Sequence, residues 1–192
     1  MLQLENAQAL GMTIPLTLVT SSALEVQHFR NDVGEIVVKP MAKVPIEVGE
    51  KIHAIYTNRI SSETKVNFEL LSQSPAIFQQ EIKRICDIRT IVVGKKVFSL
   101  GIRQVGAKTG GVDYRIGASR DLQFEPVKLP DELEQKCVRF VQGFGLSFSA
   151  MDFILGEDGE YYFLENNPCG ALKFVENNGG YDISGEFARI LS

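Results

Sequence analysis

The dipeptide Asp158-Gly159 constrains this chain more than any other pair of residues in it. It stands between two arms rich in strand-forming residues, Ser147-Phe-Ser-Ala-Met-Asp152-Phe-Ile-Leu-Gly-Glu157 and Glu160-Tyr-Tyr-Phe-Leu-Glu165-Asn-Asn167-Pro168. An Asp-Gly pair so flanked signals a two-residue hairpin turn, because glycine accepts the positive φ such a turn demands. If those two residues are the whole loop, Glu157 faces Glu160. Counting back along both arms then sets Asp152 directly opposite Glu165. Opposed residues leave the sheet on one face with Cβ atoms about 4.5–5.5 Å apart. The pleat puts Asn167, two residues on, on that face too. A slip of one residue in the turn removes this geometry.

Apart from these polar residues both arms are largely apolar, with Ala150, Met151, Phe153 and Ile154 on one and Tyr162, Phe163 and Leu164 on the other. Both faces of the hairpin are therefore expected to be covered. Like charges opposed in a covered sheet repel and are costly to desolvate. Three devices relieve that cost: a divalent cation, a proton on one carboxylate, or a Lys or Arg set against the pair. Two carboxylates and an amide oxygen form an all-oxygen set, which suits Mg2+ better than zinc. On that reading Asp152, Glu165 and Asn167 are the metal ligands.

Composition narrows the chemistry further. The 192 residues carry 24 acidic and 20 basic side chains, a net charge of −4, where a nucleic-acid binder is normally basic. No apolar run approaches the ~20 residues of a membrane span. Neither nucleic acid nor membrane is an expected partner. Met1-Leu-Gln-Leu-Glu5 lacks a signal-peptide pattern. Cys86, Cys137 and Cys169 are too widely spaced, and odd in number, for a disulfide scaffold or zinc knuckle. They read as reduced thiols, and the expected location is cytoplasmic. Histidine occurs only at His28 and His53, and no Ser-His or Cys-His constellation is visible. Catalysis must rest on carboxylates, Lys, Arg and a metal. No Walker-type Gly-x-x-x-x-Gly-Lys loop is present, so a nucleotide would be held by another device.

The remaining patterning is mixed α+β. A helix over Leu2–Leu10, closed by Gly11, precedes a strand over 14–20. Ser22-Ala-Leu-Glu25 has capping-box spacing. Glu35 to Pro40 is a strand ending at Lys39, Met41 to Glu50 a flap containing Lys43, and Lys51 to Thr57 a further strand. Ser62 opens a helix to about Leu71. From Ala76 the chain turns strand-rich: Ala76–Ile82, then a hairpin through Gly94-Lys95 joining Arg89–Val93 to Lys96–Leu100. Arg103 to Asp121 is a Gly-rich basic loop, Asp131 opens a helix to Gly143, and a last helix runs from about Ser184 to Leu191. Two lobes are expected, 1–75 and 76–192. Lys39 either holds a phosphate as a point charge or ends in solvent. Asp87 and Arg89 share a face and are candidates to pair with each other. Gln79, Gln80 and Glu81 belong either to an inter-lobe cleft or to a polar strand edge. The basic loop either clamps an anionic substrate or is solvated.

Taken in order, Val38-Lys39-Pro40, Phe78-Gln79-Gln80-Glu81-Ile82, Asp87-Ile-Arg89 before a Val-Val-Gly hairpin, and Met151-Asp152 with Phe163-Leu-Glu165-Asn-Asn167-Pro168 resemble the ATP-grasp ligases. More narrowly they resemble the microviridin-type peptide maturases, or graspetide synthetases. Ile55-Tyr-Thr-Asn58, Val112-Asp-Tyr-Arg115 and Gly180-Tyr-Asp-Ile-Ser184 are similar to that subgroup too. The resemblance implies an ATP-grasp core of two α+β lobes with a nucleotide cleft between them. It implies phosphorylation of a carboxylate by ATP and attack on the acyl phosphate by an amine or hydroxyl. In the maturases this forms lactam or ester crosslinks in a ribosomally made precursor peptide. By position, Lys39 would meet the phosphates and Gln80, Glu81 and Ile82 would line the adenine pocket, largely through backbone groups. Asp87 aligns with a nucleotide-side position such as the ribose. Asp152, Glu165 and Asn167 would hold Mg2+, and Arg89 and Arg115 would stabilise the transferring phosphoryl group or the acyl phosphate.

Two departures stand out. Where the family carries a glycine-rich flap this chain reads Met41-Ala-Lys43-Val-Pro-Ile-Glu47, and Glu81 stands where an aromatic is usual. The family also has an N-terminal α/β domain, and this chain resembles the part that follows it. The expectation is an excised core with weak ATP binding and little ligation. The expected partner is a precursor peptide or other carboxylate substrate, with a second copy of the chain as a further candidate. The alternatives are a glutamate-adding or small-molecule ligase, and a degenerate module that binds nucleotide or peptide without chemistry.

Overall fold

In the computed structural model the residues described are 2–41, 46–48, 51–53, 56–60, 71–105, 112 and 121–192. The expected helix from Ser62 up to Leu71, Lys43 of the flap, and Lys108, Arg115 and Arg120 of the basic loop lie outside them. The chain opens with α1 (Leu2–Ala9), which ends where Gly11 takes a φ of 74°. Its buried residues, Leu4 and Ala7, pack into the larger of two compact units.

The smaller unit comprises the described residues of 15–82 together with Val112. Its four-stranded antiparallel sheet has the order β1 (Thr17–Thr20), β6 (Ala76–Gln80), β2 (Ile36–Pro40), β5 (Asn58–Ile60). Between β2 and β5 in sequence, β3 (Ile46–Val48) and β4 (Lys51–His53) pair as a separate two-stranded ribbon, so part of the expected flap is a hairpin. α2 (Ala23–Val33) covers one face of the sheet, with Val26 packed among Ile36, Ile60 and Phe78. The capping box that opens α2 closes through a third residue. Ser22 Oγ accepts the Glu25 N–H, while the Glu25 carboxylate takes the Thr20 hydroxyl, whose oxygen accepts the Ser22 N–H.

The larger unit holds residues 2–14, 83–105 and 121–192. Its five-stranded antiparallel sheet runs β11 (Tyr161–Asn167), β10 (Phe148–Gly156), β7 (Arg84–Val93), β8 (Lys96–Gln104), β9 (Leu122–Val127). Arg103, expected in the basic loop, is part of β8 and pairs with Glu125 of β9 at 3.0 Å. On one face α1 and α3 (Asp131–Gly143) bury Leu133, Cys137 and Phe140 against Ile88, Val92, Met151 and Phe153. On the other, α4 (Lys173–Gly179) and α5 (Ile183–Leu191) set Val175 and Ile183 over Ile91, Val93, Leu100 and Ala150. Both faces of β10 are covered, as its apolar arms require. The β7–β8 hairpin turns through Gly94, at φ 58°, as its sequence predicts.

Among the described residues the chain changes unit after Ile14 and again after Ile82, and Val112 belongs with the smaller unit. Strand β6 is hydrogen-bonded to β1 on one side and β2 on the other. The shift to strand-rich sequence at Ala76 marks a change of secondary structure, which carries no information about which sheet the strand joins. Among the described residues no helix is long and apolar enough to cross a membrane.

Candidate functional site

The carboxylate hairpin reaches its expected register by an unexpected route. Leu155 pairs with Tyr161, and Gly156 N–H donates to Glu160 O at 2.9 Å, so the loop is Glu157-Asp158-Gly159, three residues long. Gly159, at φ 83°, supplies its left-handed position. Asp158 locks this form: Oδ1 accepts the Glu160 N–H at 3.1 Å and Oδ2 the Tyr162 hydroxyl at 2.7 Å. The longer loop offsets the strands by one residue. A bulge then cancels the offset, for Phe153 faces Phe163 whereas Asp152 faces Glu165, leaving Leu164 as the extra residue. Beyond the bulge the pairs are those a two-residue turn would give.

The result is a transverse row across three strands. Arg89 of β7 lies opposite Asp152 of β10, which lies opposite Glu165 of β11. Arg89 Nη1 donates to both Asp152 oxygens, at 2.7 and 2.6 Å. The two side chains are 13% and 20% exposed. Burial pushes the Asp152 carboxyl up to about 6, against the pull of Arg89, and the adjoining Glu165 carboxylate pushes the same way. One of the devices open on sequence grounds, a basic partner, is therefore present, and the upward shift of Asp152 favours a second, a proton on one carboxylate. The donor set still fits a hard cation: two carboxylates face one guanidinium, and burial already disfavours the second negative charge. Among the described residues no three His, Cys, Asp or Glu side chains cluster, so a site here needs the amide oxygen of Asn167. That residue follows on β11 opposite Ala150, and its Oδ1 accepts the Cys169 N–H at 3.0 Å.

Gly170, absent from the sequence-based candidates, shapes this row. A Cβ there would lie 2.6 Å from Arg89 Nη2 and run into the Ala150 side chain. Only a bare backbone can cross so close to the guanidinium. The sequence signal is the Pro168-Cys-Gly170 turn directly after Asn167. Asp87, two residues before Arg89, is buried and accepts from Arg84 Nη1 at 2.8 Å. The alternative in which Asp87 and Arg89 serve each other gives way to two separate pairs, because the β7–β10 register brings Asp152 to Arg89.

The other candidates belong to the smaller unit. Lys39 Nζ donates to Gln79 Oε1 at 2.5 Å. Gln79, grouped in the sequence with Gln80 and Glu81 and given no site role of its own, is thus the residue that reaches the lysine. The N–H groups of Gln80 and Glu81 donate to Leu16 O and Glu35 O, each at 2.9 Å. These two residues can meet a base only through carbonyls or side chains. Glu81 is gripped by both Nε and Nη2 of Arg59, and this raises the guanidinium pKa. Ile82 is buried.

Comparison with known proteins follows the same lines. In the solved RiPP-associated ATP-grasp ligase of Chryseobacterium gregarium, in complex with ADP and a leader and core peptide, the similarity covers 98% of this chain and 57% of that one, at 25% identity and a TM-score of 0.88. For the macrocyclase MdnC of Microcystis aeruginosa MRC, bound with precursor peptide MdnA, the figures are 99% and 59%, 28% identity and 0.80. For the macrocyclase MdnB of the same organism they are 99% and 57%, 32% and 0.74. The chain thus spans less than two thirds of the length of each. None of the curated protein sequences matches it. Residues 26–191 match the RimK-like ATP-grasp domain, a span that takes in the five-stranded sheet, strands β2, β5 and β6 of the four-stranded one, Lys39 and the whole Arg89–Asp152–Glu165 row. The chain belongs to the RimK-like ATP-grasp family.

Proposed function

We propose that this chain is the ATP-grasp portion of an ATP- and Mg2+-dependent ligase that joins a carboxylate to an amine or hydroxyl in a ribosomally synthesised precursor peptide. The observation that carries this reading is the register that sets Asp152 against Glu165 with Arg89 in the same row. The solved relatives with leader, core or precursor peptides bound support the peptide substrate. In the reaction a substrate carboxylate oxygen bonds to the terminal phosphorus of ATP and ADP departs. The amine or hydroxyl then attacks the acyl carbon and phosphate leaves, so the peptide loses one water per bond.

Such chemistry asks the protein for positioning and charge neutralisation more than for a nucleophile. Lys39 would hold phosphate oxygens as a point charge. Gln80 and Glu81 would offer carbonyls, and Ile82 an apolar wall, to adenine, and Asp87 would serve the nucleotide side. Asp152, Glu165 and Asn167 would hold Mg2+, which when bound neutralises phosphate charge. Arg89 would turn from Asp152 towards the transferring phosphoryl group as that charge is taken over, with Arg115 as its counterpart. The free thiols of Cys86, Cys137 and Cys169 support a cytoplasmic location.

The test is a thermal shift of the chain with ATP plus Mg2+ against ATP plus EDTA. A ligand that binds only the folded state raises the melting point with concentration, and here the rise should need the metal. Incubation with candidate precursor peptides, followed by mass, should show the loss of water. A second reading has its own support: Arg89 already bonds both oxygens of Asp152, which suits a binding module that uses no metal. That module would bind nucleotide equally well in EDTA.

A further inference from the structure

We infer that Gln79 and Thr17 are positioning residues for Lys39, forming a one-way hydrogen-bond relay that orients the lysine ammonium. The inference rests on the reading in which Lys39 meets nucleotide phosphates. Thr17, Gln79 and Val37 form one transverse row of the smaller sheet, and Lys39 follows Val37 on the same face of β2, the face turned away from α2. Gln79 is 3% exposed. A buried amide must satisfy both its ends, and the wrong orientation leaves donors facing donors.

Each bond in the relay dictates the next. The Pro15 carbonyl can only accept, so the single hydrogen of the Thr17 hydroxyl is directed to it, at 2.8 Å. The Thr17 oxygen must then accept from the Gln79 amide nitrogen, at 2.9 Å. That choice turns Gln79 Oε1 towards Lys39 Nζ, at 2.5 Å. Reversed, the amide would set its NH2 group against the ammonium. Lysine is a flexible four-carbon stem with a compact charge, so holding it in place is a separate task from supplying it. Thr17 and Gln79 act through Lys39 and need touch no ligand themselves.

Calorimetric titration of the full chain with Mg·ATP and with adenosine, which lacks phosphates, tests this. Thr17→Val is nearly isosteric and removes the hydroxyl that orients the amide. It should weaken Mg·ATP about five- to tenfold, the scale of one neutral hydrogen bond, and leave adenosine unchanged. Gln79→Met should do the same, and Thr17→Ser should restore wild-type affinity. In a Lys39→Met background neither substitution should reduce Mg·ATP affinity further, because nothing is left to position. Equal losses in the two backgrounds, or equal losses for Mg·ATP and adenosine, would assign Gln79 and Thr17 a purely structural role and overturn the inference alone. A wild-type chain whose Mg·ATP affinity is indifferent to Lys39→Met, or which binds no nucleotide, would instead remove the reading beneath it. Thermal unfolding of each variant identifies any that fail to fold, and the relay is then judged on the other of the pair.

Discussion

Lys39 and Arg89 are both strand cations carried over from the same family resemblance, yet they are held in opposite ways. Lys39 is gripped by an amide, Gln79, itself oriented by Thr17 and Pro15. Arg89 is gripped by a carboxylate, Asp152, with a second carboxylate next in the row. The amide contact itself brings no charge to the lysine. A cation on a buried acid is already at work, making that acid tolerable inside the sheet. The difference teaches that a strand cation can be oriented by a neutral amide or spent on a buried acid, and the two should respond differently to substitution.

The largest expected effect breaks that balance. Arg89→Met leaves Asp152 and Glu165 without the guanidinium, and removing one partner of a buried ion pair costs about 3 kcal/mol or more. Urea unfolding should register that loss, and adding Asp152→Asn should recover much of it. If Arg89→Met and Lys39→Met destabilise the chain equally, the contrast between the two cations is wrong. Gly170→Ala comes next, because the added methyl would press on Ala150 and on Arg89 Nη2. Overpacking of this kind costs about 1–3 kcal/mol. Ala150→Gly in the same chain should return part of it, while an unchanged melting point for Gly170→Ala alone would show that the crossing has slack.

Much of this was legible in the sequence and some was not, for reasons that lie in particular residues. The Asp152–Glu165 pair could be counted from Asp158-Gly159, but the count arrived through two cancelling irregularities. Asp158 binds Glu160 and Tyr162 in a way that suits a three-residue loop, and the bulge at Leu164 carries no glycine to announce it. Arg89 and Asp152 are 63 residues apart, so their pairing needed the β7–β10 register, which no local pattern contains. Similarly, strand parity alone separates Gln79 from Gln80, but only the β6–β2 register says which of them faces Lys39. The unit changes after Ile14 and Ile82 have no compositional mark, because composition follows secondary structure, not sheet membership.

A smaller effect sharpens the comparison through pH. Asp152 is raised from 3.8 to about 6, chiefly by burial. The folded chain therefore holds that proton more tightly than the unfolded one. Its contribution is fully present below about pH 4 and is lost as pH rises through about 6. The stability of wild type relative to Asp152→Asn should thus fall between those limits, by on the order of 1–2 kcal/mol after allowing for partial exposure. Unfolding curves at several pH values check the sign. A difference that rises with pH would mean that Arg89 outweighs burial.

The smallest expected change in stability is at Lys39, and its smallness is the point. Lys39→Met removes a donor from the neutral Gln79 Oε1, so the loss should be only about 1 kcal/mol. The same substitution should sharply reduce the melting-point rise produced by Mg·ATP, since an ordered ammonium is worth most where phosphate charge is desolvated. Arg89→Met should show the reverse proportion, a large loss of intrinsic stability. Its nucleotide response should survive better wherever Mg2+ can take over the neutralisation of Asp152. Plotting each variant's intrinsic loss against its loss of ligand response separates a cation that serves mainly the ligand from one that serves mainly the fold. Both variants falling on one line would mean that the neutral amide and the buried carboxylate make no functional difference to the cation they hold.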